Sequence, residues 1–313
     1  SVRGGMHDVA RKYFSLDYIE EMGCYMAWFK LNTLHLHINE DSGLGGEYSS
    51  SFVVESKKYP QLNTYNGEYV WSQDDYRQMQ KDLKKVGIDV VTEIDTPGHA
   101  TIFQLIDPEI VNGSNFDLSN HYDECLALIE DVFDEFLDGE DPVFQNAVVH
   151  IGTDESANTN ENMRRYINDL AQYCLAKDNI DEVYFWGNLS LYYGFNEIDP
   201  DHVAAQVWDS ADQRVDEALA SGFDVINSTS NSLYLIPGNA NACIMAMSTC
   251  PHSMRHGMVS PILTPTDRAT RAISPTAIII AHMICYWAIR RSWARSIATG
   301  TTVPGPMTLT SWI

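Results

Sequence analysis

Apolar positions along the chain follow two periods: short runs of β-branched and aromatic residues, and longer stretches in which they recur every three or four residues. Tyr18, Ile19, Met22, Met26 and Phe29 fall at helical spacing and predict a helix over 15–30, with Ser15 as its N-cap. A second helical pattern, 72–86, opens on Ser72, whose hydroxyl is placed to accept the Asp75 amide proton, and stops at Gly87. Further helices are predicted over 122–137, 160–176 and 212–221. Between them lie strand-like runs at 33–38, 88–94, 147–150, 183–186, 203–207 and 224–227, with a first strand at 5–9. Parallel strands joined by crossover helices fit this alternation better than an antiparallel sandwich does. Many such units, and no glycine-rich dinucleotide turn after the first strand, predict an α/β fold of the (β/α)8 TIM-type barrel class.

Composition changes that picture in one place. Residues 1–238 carry 42 acidic and 14 basic side chains, whereas residues 239–313 carry only Asp267 against six arginines and contain no Lys, Glu or Phe. Residues 1–238 are therefore read as the barrel and 239–313 as an atypical C-terminal segment. By count that segment must supply the last strand, so the barrel is expected to be incomplete or irregular at its C-terminal end. The formal charge of −23 repels polyanions at long range, which excludes nucleic acid and anionic membrane surfaces as expected partners. Six cysteines are scattered at Cys24, Cys125, Cys174, Cys243, Cys250 and Cys285, with no CxxC pair and no Cys/His cluster at zinc spacing. No disulfide framework, metal or cofactor is predicted from them. The longest apolar run, 277–289, is broken by His282 and falls short of the roughly 17 residues a spanning helix needs, so no membrane insertion is expected. The chain opens at Ser1 without a basic and apolar leader, so any secretory signal is expected to lie outside it, and the missing initiator methionine predicts a piece of a longer protein.

Barrel chemistry gathers just after strand C-termini, which singles out three segments. His35-Leu36-His37-Ile38-Asn39-Glu40-Asp41 follows the second strand, Glu93-Ile94-Asp95-Thr96-Pro97-Gly98-His99 the third and His150-Ile151-Gly152-Thr153-Asp154-Glu155 the fourth. Each ends an apolar run with carboxylates and histidines, the groups that general acid–base work on one substrate requires. Trp186 and Trp208 close later strands, and flat apolar rings suit the faces of sugars. Taken singly, each feature has an ordinary explanation, since Asp-Glu pairs are common on solvated loops and strand histidines or tryptophans are common in cores. Their coincidence at one end of one barrel points instead to glycoside chemistry.

At these residues the chain resembles glycoside hydrolase family 20, the β-N-acetylhexosaminidases, from about residue 3 to residue 237. The motifs that carry the resemblance are Arg3-Gly4-Gly5-Met6-His7-Asp8-Val9-Ala10-Arg11, the 32–40 block, 93–99 and 150–155. Pro142-Val143-Phe144, Phe185-Trp186-Gly187 and Leu233-Tyr234-Leu235-Ile236-Pro237 look more like the lacto-N-biosidase and dispersin-like branches. The resemblance implies substrate-assisted hydrolysis of β-linked N-acetylhexosamine with retention, in which the sugar's own acetamide oxygen attacks the anomeric carbon. Asp154 would then orient the acetamide and Glu155 would act as general acid and base. The substrate side would comprise Arg3 on the sugar hydroxyls, Trp186 and Trp208 as pocket walls, Tyr234 on the acetamide oxygen, and His99. By the same resemblance His99 supports the acid through a carboxylate, usually an aspartate, at the position of Glu40, with Asp41 as a substitute.

Two positions depart from the family pattern. Ile236 stands where many members have an aspartate that grips outer hydroxyls, and Trp287 and Trp293 lack the expected context of a final pocket tryptophan. Ile236 and the branch-like phrases keep open a lacto-N-biosidase that releases a disaccharide. The unusual tail and Glu40 keep open a non-catalytic glycan-binding pseudoenzyme, against which the intact Asp154-Glu155 pair argues. The family's usual setting implies N-acetylhexosamine-containing glycans as partners and an extracellular or cell-surface location.

Overall fold

The computed structural model describes residues 2–41, 52–64, 66–234 and 278–282. Eight parallel strands close a barrel: β1 (Arg3–Asp8), β2 (Thr33–His37), β3 (Asp89–Glu93), β4 (Val148–His150), β5 (Glu182–Trp186), β6 (Val203–Val207), β7 (Asp224–Asn227) and β8 (Ile278–His282). The helices are α1 (Leu16–Trp28), α2 (Gln73–Lys85), α3 (Tyr122–Leu137), α4 (Asn160–Leu175), α5 (Val215–Ala220) and α6 (Ser230–Leu233). Both predicted serine caps form, with Ser15 Oγ accepting from the Tyr18 amide and Ser72 Oγ from the Asp75 amide. Gly87 follows α2 with φ at +85°, the left-handed geometry that ends a helix. β1 starts two residues earlier than the pattern placed it, because Gly4 and Gly5 pair with Thr33 and Leu34 of β2.

β8 comes from the arginine-bearing tail. Its backbone pairs in parallel with β1, from Arg3 opposite Ile279 to Met6 opposite His282, and with β7, from Ile226 opposite Ile278. The first and seventh strands thereby both gain a neighbour, as barrel closure requires. Segments 235–277 and 283–313, with Ile236, Trp287 and Trp293, lie outside the described residues.

Strand alternation sorts the core into two layers. Leu34, Leu36, Val90, Val149, Val183, Phe185, Val203, Ala205 and Val207 face the helices and join their apolar stripes, such as Ile129, Val132 and Phe133 of α3. Met6, Val91, Tyr184, Trp186, Ala204 and Ile226 fill the barrel itself. Toward the strand C-termini the inward positions turn polar, and His35, His37, Glu93, His150 and Gln206 are all buried there. Among the described residues no helix is long and apolar enough to cross a membrane.

Candidate active site

The β4–α4 turn carries the adjacent acids. Gly152 has φ at +72°, and a Cβ there would overlap Asp95, so the turn passes Asp95 at a distance only glycine permits. Thr153 and Glu155 follow at φ +96° and +45°, and His99 on the facing loop has φ +49°. Three non-glycine residues in left-handed geometry thus meet at one point, an arrangement that persists only where the surroundings enforce it. Three contacts do so: the Thr153 amide donates to Asp95 Oδ1 at 2.9 Å, Asn188 Nδ2 donates to the Thr153 carbonyl, and Tyr192 Oη donates to the Ser156 carbonyl. Asp95 is held in turn by a reciprocal pair with Asn39, whose Oδ1 accepts the Asp95 amide at 2.6 Å and whose Nδ2 donates to the Asp95 carbonyl at 2.8 Å.

The two acids sit in different surroundings. Glu155 is 54% exposed, whereas Asp154 is 17% exposed and its Oδ1 is buried with no hydrogen-bond partner among the described residues. Burial pushes the Asp154 carboxyl up to about 6, opposed by the charge of His99 and reinforced by that of Glu93. Asp95 beside it is also pushed above the ordinary carboxylate range, by burial first and the charge of Asp154 second.

His99 joins the acid to its support. Its Nδ1 hydrogen-bonds Glu40 Oε1 at 2.6 Å, and its Nε2 lies 3.3 Å from Glu155 Oε2. Burial works against its charge, yet Asp41, Glu40, Asp95 and Asp154 hold its proton on up to about 12. Glu40 also faces His37 Nε2 at 3.2 Å and the Arg11 guanidinium at 2.6 Å; despite burial, the hydrogen bonds from His37 and His99 hold it well below the usual carboxylate range. The longer side chain at this position reaches His99, with Asp41 further off at 3.6 Å.

Trp186 lies beneath the acids. Its amide donates to the Gly152 carbonyl at 2.7 Å and its indole Nε1 to Glu93 Oε1 at 2.5 Å. Trp208, half-buried at the end of β6, packs on the same inner layer, and its Nε1 is buried without a hydrogen-bond partner among the described residues. Burial, then the charges of Asp154 and Glu93, push the Tyr234 phenol well above its ordinary value, as expected of a hydroxyl facing the acids. Asp154, Glu155, His99, Glu40, Trp186, Trp208 and Tyr234 therefore converge.

Arg3 does not. It opens β1 at the opposite end of the barrel, exposed, its Nε donating to the Lys30 carbonyl at 2.8 Å. Six strand residues at about 3.3 Å each separate that end from the acids. Arg11, three residues beyond the C-terminus of β1, stands at the site instead, bound to Asp8 at 2.7 Å and to Glu40. The rule that chemistry follows strand C-termini favours Arg11 over Arg3, and that signal was present in the sequence. The buried partners Asn39, Asp95 and Glu93 lie within the strand-end segments the same rule singles out, but their pairings had no signal of their own, because only folding brings their elements together.

Among the described residues, four triplets bring ligand-type atoms within 4.8 Å of one another: His35–Glu93–His150, His37–Glu93–Asp95, Glu40–Asp41–His99 and Asp95–His99–Asp154. Within them, imidazoles face carboxylates at 2.6 to 3.9 Å, so acid–base pairing already accounts for much of the clustering.

Residues 1–173 match the family model for the glycosyl hydrolase family 20 catalytic domain. The chain belongs to this family. Among curated relatives, a β-hexosaminidase of Emericella nidulans is 25% identical over 276 residues, covering 74% of this chain and 43% of its own length. The β-hexosaminidase subunit A1 of Dictyostelium discoideum is 31% identical over 163 residues, covering 49% of this chain and 28% of its own. The chain thus spans less than half the length of these relatives. Dispersin B has the same fold, with a TM-score of 0.69 at 20% identity and 90% of both chains covered. The Streptomyces plicatus N-acetyl-β-hexosaminidase gives 0.62 at 21% identity, over 75% of this chain and 48% of that one.

Proposed function

We propose that the chain is the catalytic barrel of a retaining, substrate-assisted β-N-acetylhexosaminidase. The observation that carries this reading is the buried Asp154 Oδ1, with no hydrogen-bond partner among the described residues and His99 Nε2 at 3.9 Å, beside a half-exposed Glu155 that touches His99. A buried carboxylate oxygen without a donor favours a ligand that brings one, and the N–H of a 2-acetamido group is such a donor. With Asp154 ionised, the acetamide oxygen is turned toward the anomeric carbon and the positive charge developing on the amide nitrogen is balanced. Carbonyl oxygen attacks C1 as Glu155 delivers its proton to the glycosidic oxygen and the C1–O bond breaks. Water then opens the cyclic intermediate at C1, losing its proton to Glu155 and restoring the acid. Trp186 and Trp208 supply apolar walls for the acetamide methyl, Tyr234 a donor for its oxygen, and Arg11 a fork suited to two hydroxyls of the same sugar.

The test is Glu155→Gln assayed on two leaving groups. Turnover of alkyl or oligosaccharide N-acetylglucosaminides should fall by a factor of roughly 10² or more, the usual scale of general acid catalysis. Dinitrophenyl glycosides, which leave without protonation, should lose far less. Equal losses on both would remove Glu155 from the role of proton donor. A 2-deoxy substrate without the acetamide should be inert, and its efficient cleavage would return the chemistry to two separate carboxylates.

A further inference from the structure

Five side chains form one string from the barrel axis to the acid. Glu93 Oε2 lies 3.0 Å from His37 Nδ1, His37 Nε2 3.2 Å from Glu40 Oε2, Glu40 Oε1 2.6 Å from His99 Nδ1, and His99 Nε2 3.3 Å from Glu155 Oε2. Carboxylates and imidazoles alternate; the inner three side chains are at most 5% exposed, His99 is 11% and Glu155 54% exposed. His37 has a carboxylate oxygen at each ring nitrogen. Its Nε2 hydrogen-bonds Glu40, while Nδ1 stands at ion-pair distance from Glu93 without hydrogen-bond geometry, so both carboxylates favour the charged ring through their charge.

We propose that His37 and Glu93, buried and away from the reacting atoms, are positioning residues for the proton donor: the inner half of a charge relay that holds Glu40 ionised and His99 protonated and aimed at Glu155. This rests on the reading of Glu155 as the general acid. The string is neutral when Glu155 carries its proton, with two carboxylates facing two imidazolium rings. When Glu155 releases that proton, the new charge appears beside His99 and completes the alternation.

Charges around the string agree with this. Burial opposes a charge on His37, but Glu93, Glu40 and Asp8 hold its proton well above the ordinary histidine range. Glu93 lies well below the carboxylate range despite full burial, facing His37, His150 and His35. Trp186 Nε1 donates to its other oxygen, and of the other acids nearby burial pushes both Asp95 and Asp154 above the ordinary carboxylate range. Glu155 for its part faces His99, Tyr192, Asp212 and Tyr234. Removing the His37 charge would leave Glu40 and Glu93 less compensated and make a further negative charge on Glu155 harder to form.

The experiment compares His37→Gln and Glu93→Gln with the wild-type chain on aryl and alkyl N-acetylglucosaminides across pH. Each variant should lose about tenfold or more on poor leaving groups and less than about threefold on dinitrophenyl glycosides, with the pH profile displaced upward in His37→Gln. In a Glu155→Gln background the His37 change should cost almost nothing more, since the two act as one unit. Equal losses on both substrates with an unmoved pH profile would overturn the relay and leave a packing role. If Glu155→Gln is itself unimpaired, it is the reading of the acid that fails. Should Glu93→Gln not fold, NMR of the wild type decides: the His37 ring should show two protonated nitrogens at pH 7, and a neutral ring would overturn the proposal.

Discussion

At the residue scale, burial sets Asp154 apart from an ordinary aspartate. Asp154 holds its proton more tightly when folded, at about 6 against 3.8 in an ordinary aspartate. Its contribution to stability is therefore full below pH 3.8 and is lost as pH rises through 6. At pH 8 the ionised carboxylate costs roughly 3 kcal/mol relative to a neutral side chain, and at pH 4 under about 1 kcal/mol. Asp154→Asn should accordingly raise the melting temperature at pH 8 by something on the order of 5 °C, with little change at pH 4, while turnover collapses. Calorimetry at the two pH values checks this, and an equal shift at both would mean the carboxylate is not held against ionisation. The ionised form is the one the mechanism uses, so activity of the wild type should decline on the acid side near pH 6. Glu40 has the opposite sign: its depressed pKa adds stability above about pH 4.5 that is lost in stronger acid.

At the scale of elements, the acid pair depends on a turn with almost no freedom. β4 is three residues long, and the turn after it must bend away at once to pass Asp95. Gly152→Ala should therefore do more than strain one left-handed residue, because the added methyl meets the Asp95 carboxyl that also receives the Thr153 amide. We expect a loss of roughly 3 kcal/mol or more in denaturant melts and activity lost with it. A fully active, stable alanine variant would show that the β3 and β4 loops are not locked together as described. Gly98 makes the same point from the other loop, since a Cβ there would come within 2.6 Å of the Asp154 carbonyl. Much of this scale was readable in advance: the caps at Ser15 and Ser72 and the spans of α3 and β6 follow directly from residue type and period. The two-stranded hairpin of Val111–Asn112 with Asn115–Phe116 was not, because strands of two residues carry no periodicity.

For the whole molecule, closure rests on five residues drawn from a tail of unlike composition. Ile278–His282 pairs with β1 and β7, so a chain ended at Pro237 would leave two strand edges bare in a barrel with seven staves. That truncation should abolish cooperative melting and produce aggregates in size-exclusion chromatography. A truncated chain that stays monodisperse and melts in one step would mean β8 adds little to the fold.

Two levels of information separate here. Local sequence determined the helices, the barrel class and the motifs around Glu40, His99, Asp154 and Glu155, because hydrophobic period, capping residues and strand-end chemistry are properties of neighbouring residues. Tertiary structure alone decided that Glu40 reaches His99 and that Glu93 collects three histidines and a tryptophan. It also decided that Asp154, identical in chemistry to any solvated aspartate, keeps its proton to about pH 6. Those outcomes depend on which strands become neighbours and how far water is excluded between them, and burial and distance across a barrel are not properties of any contiguous stretch of chain.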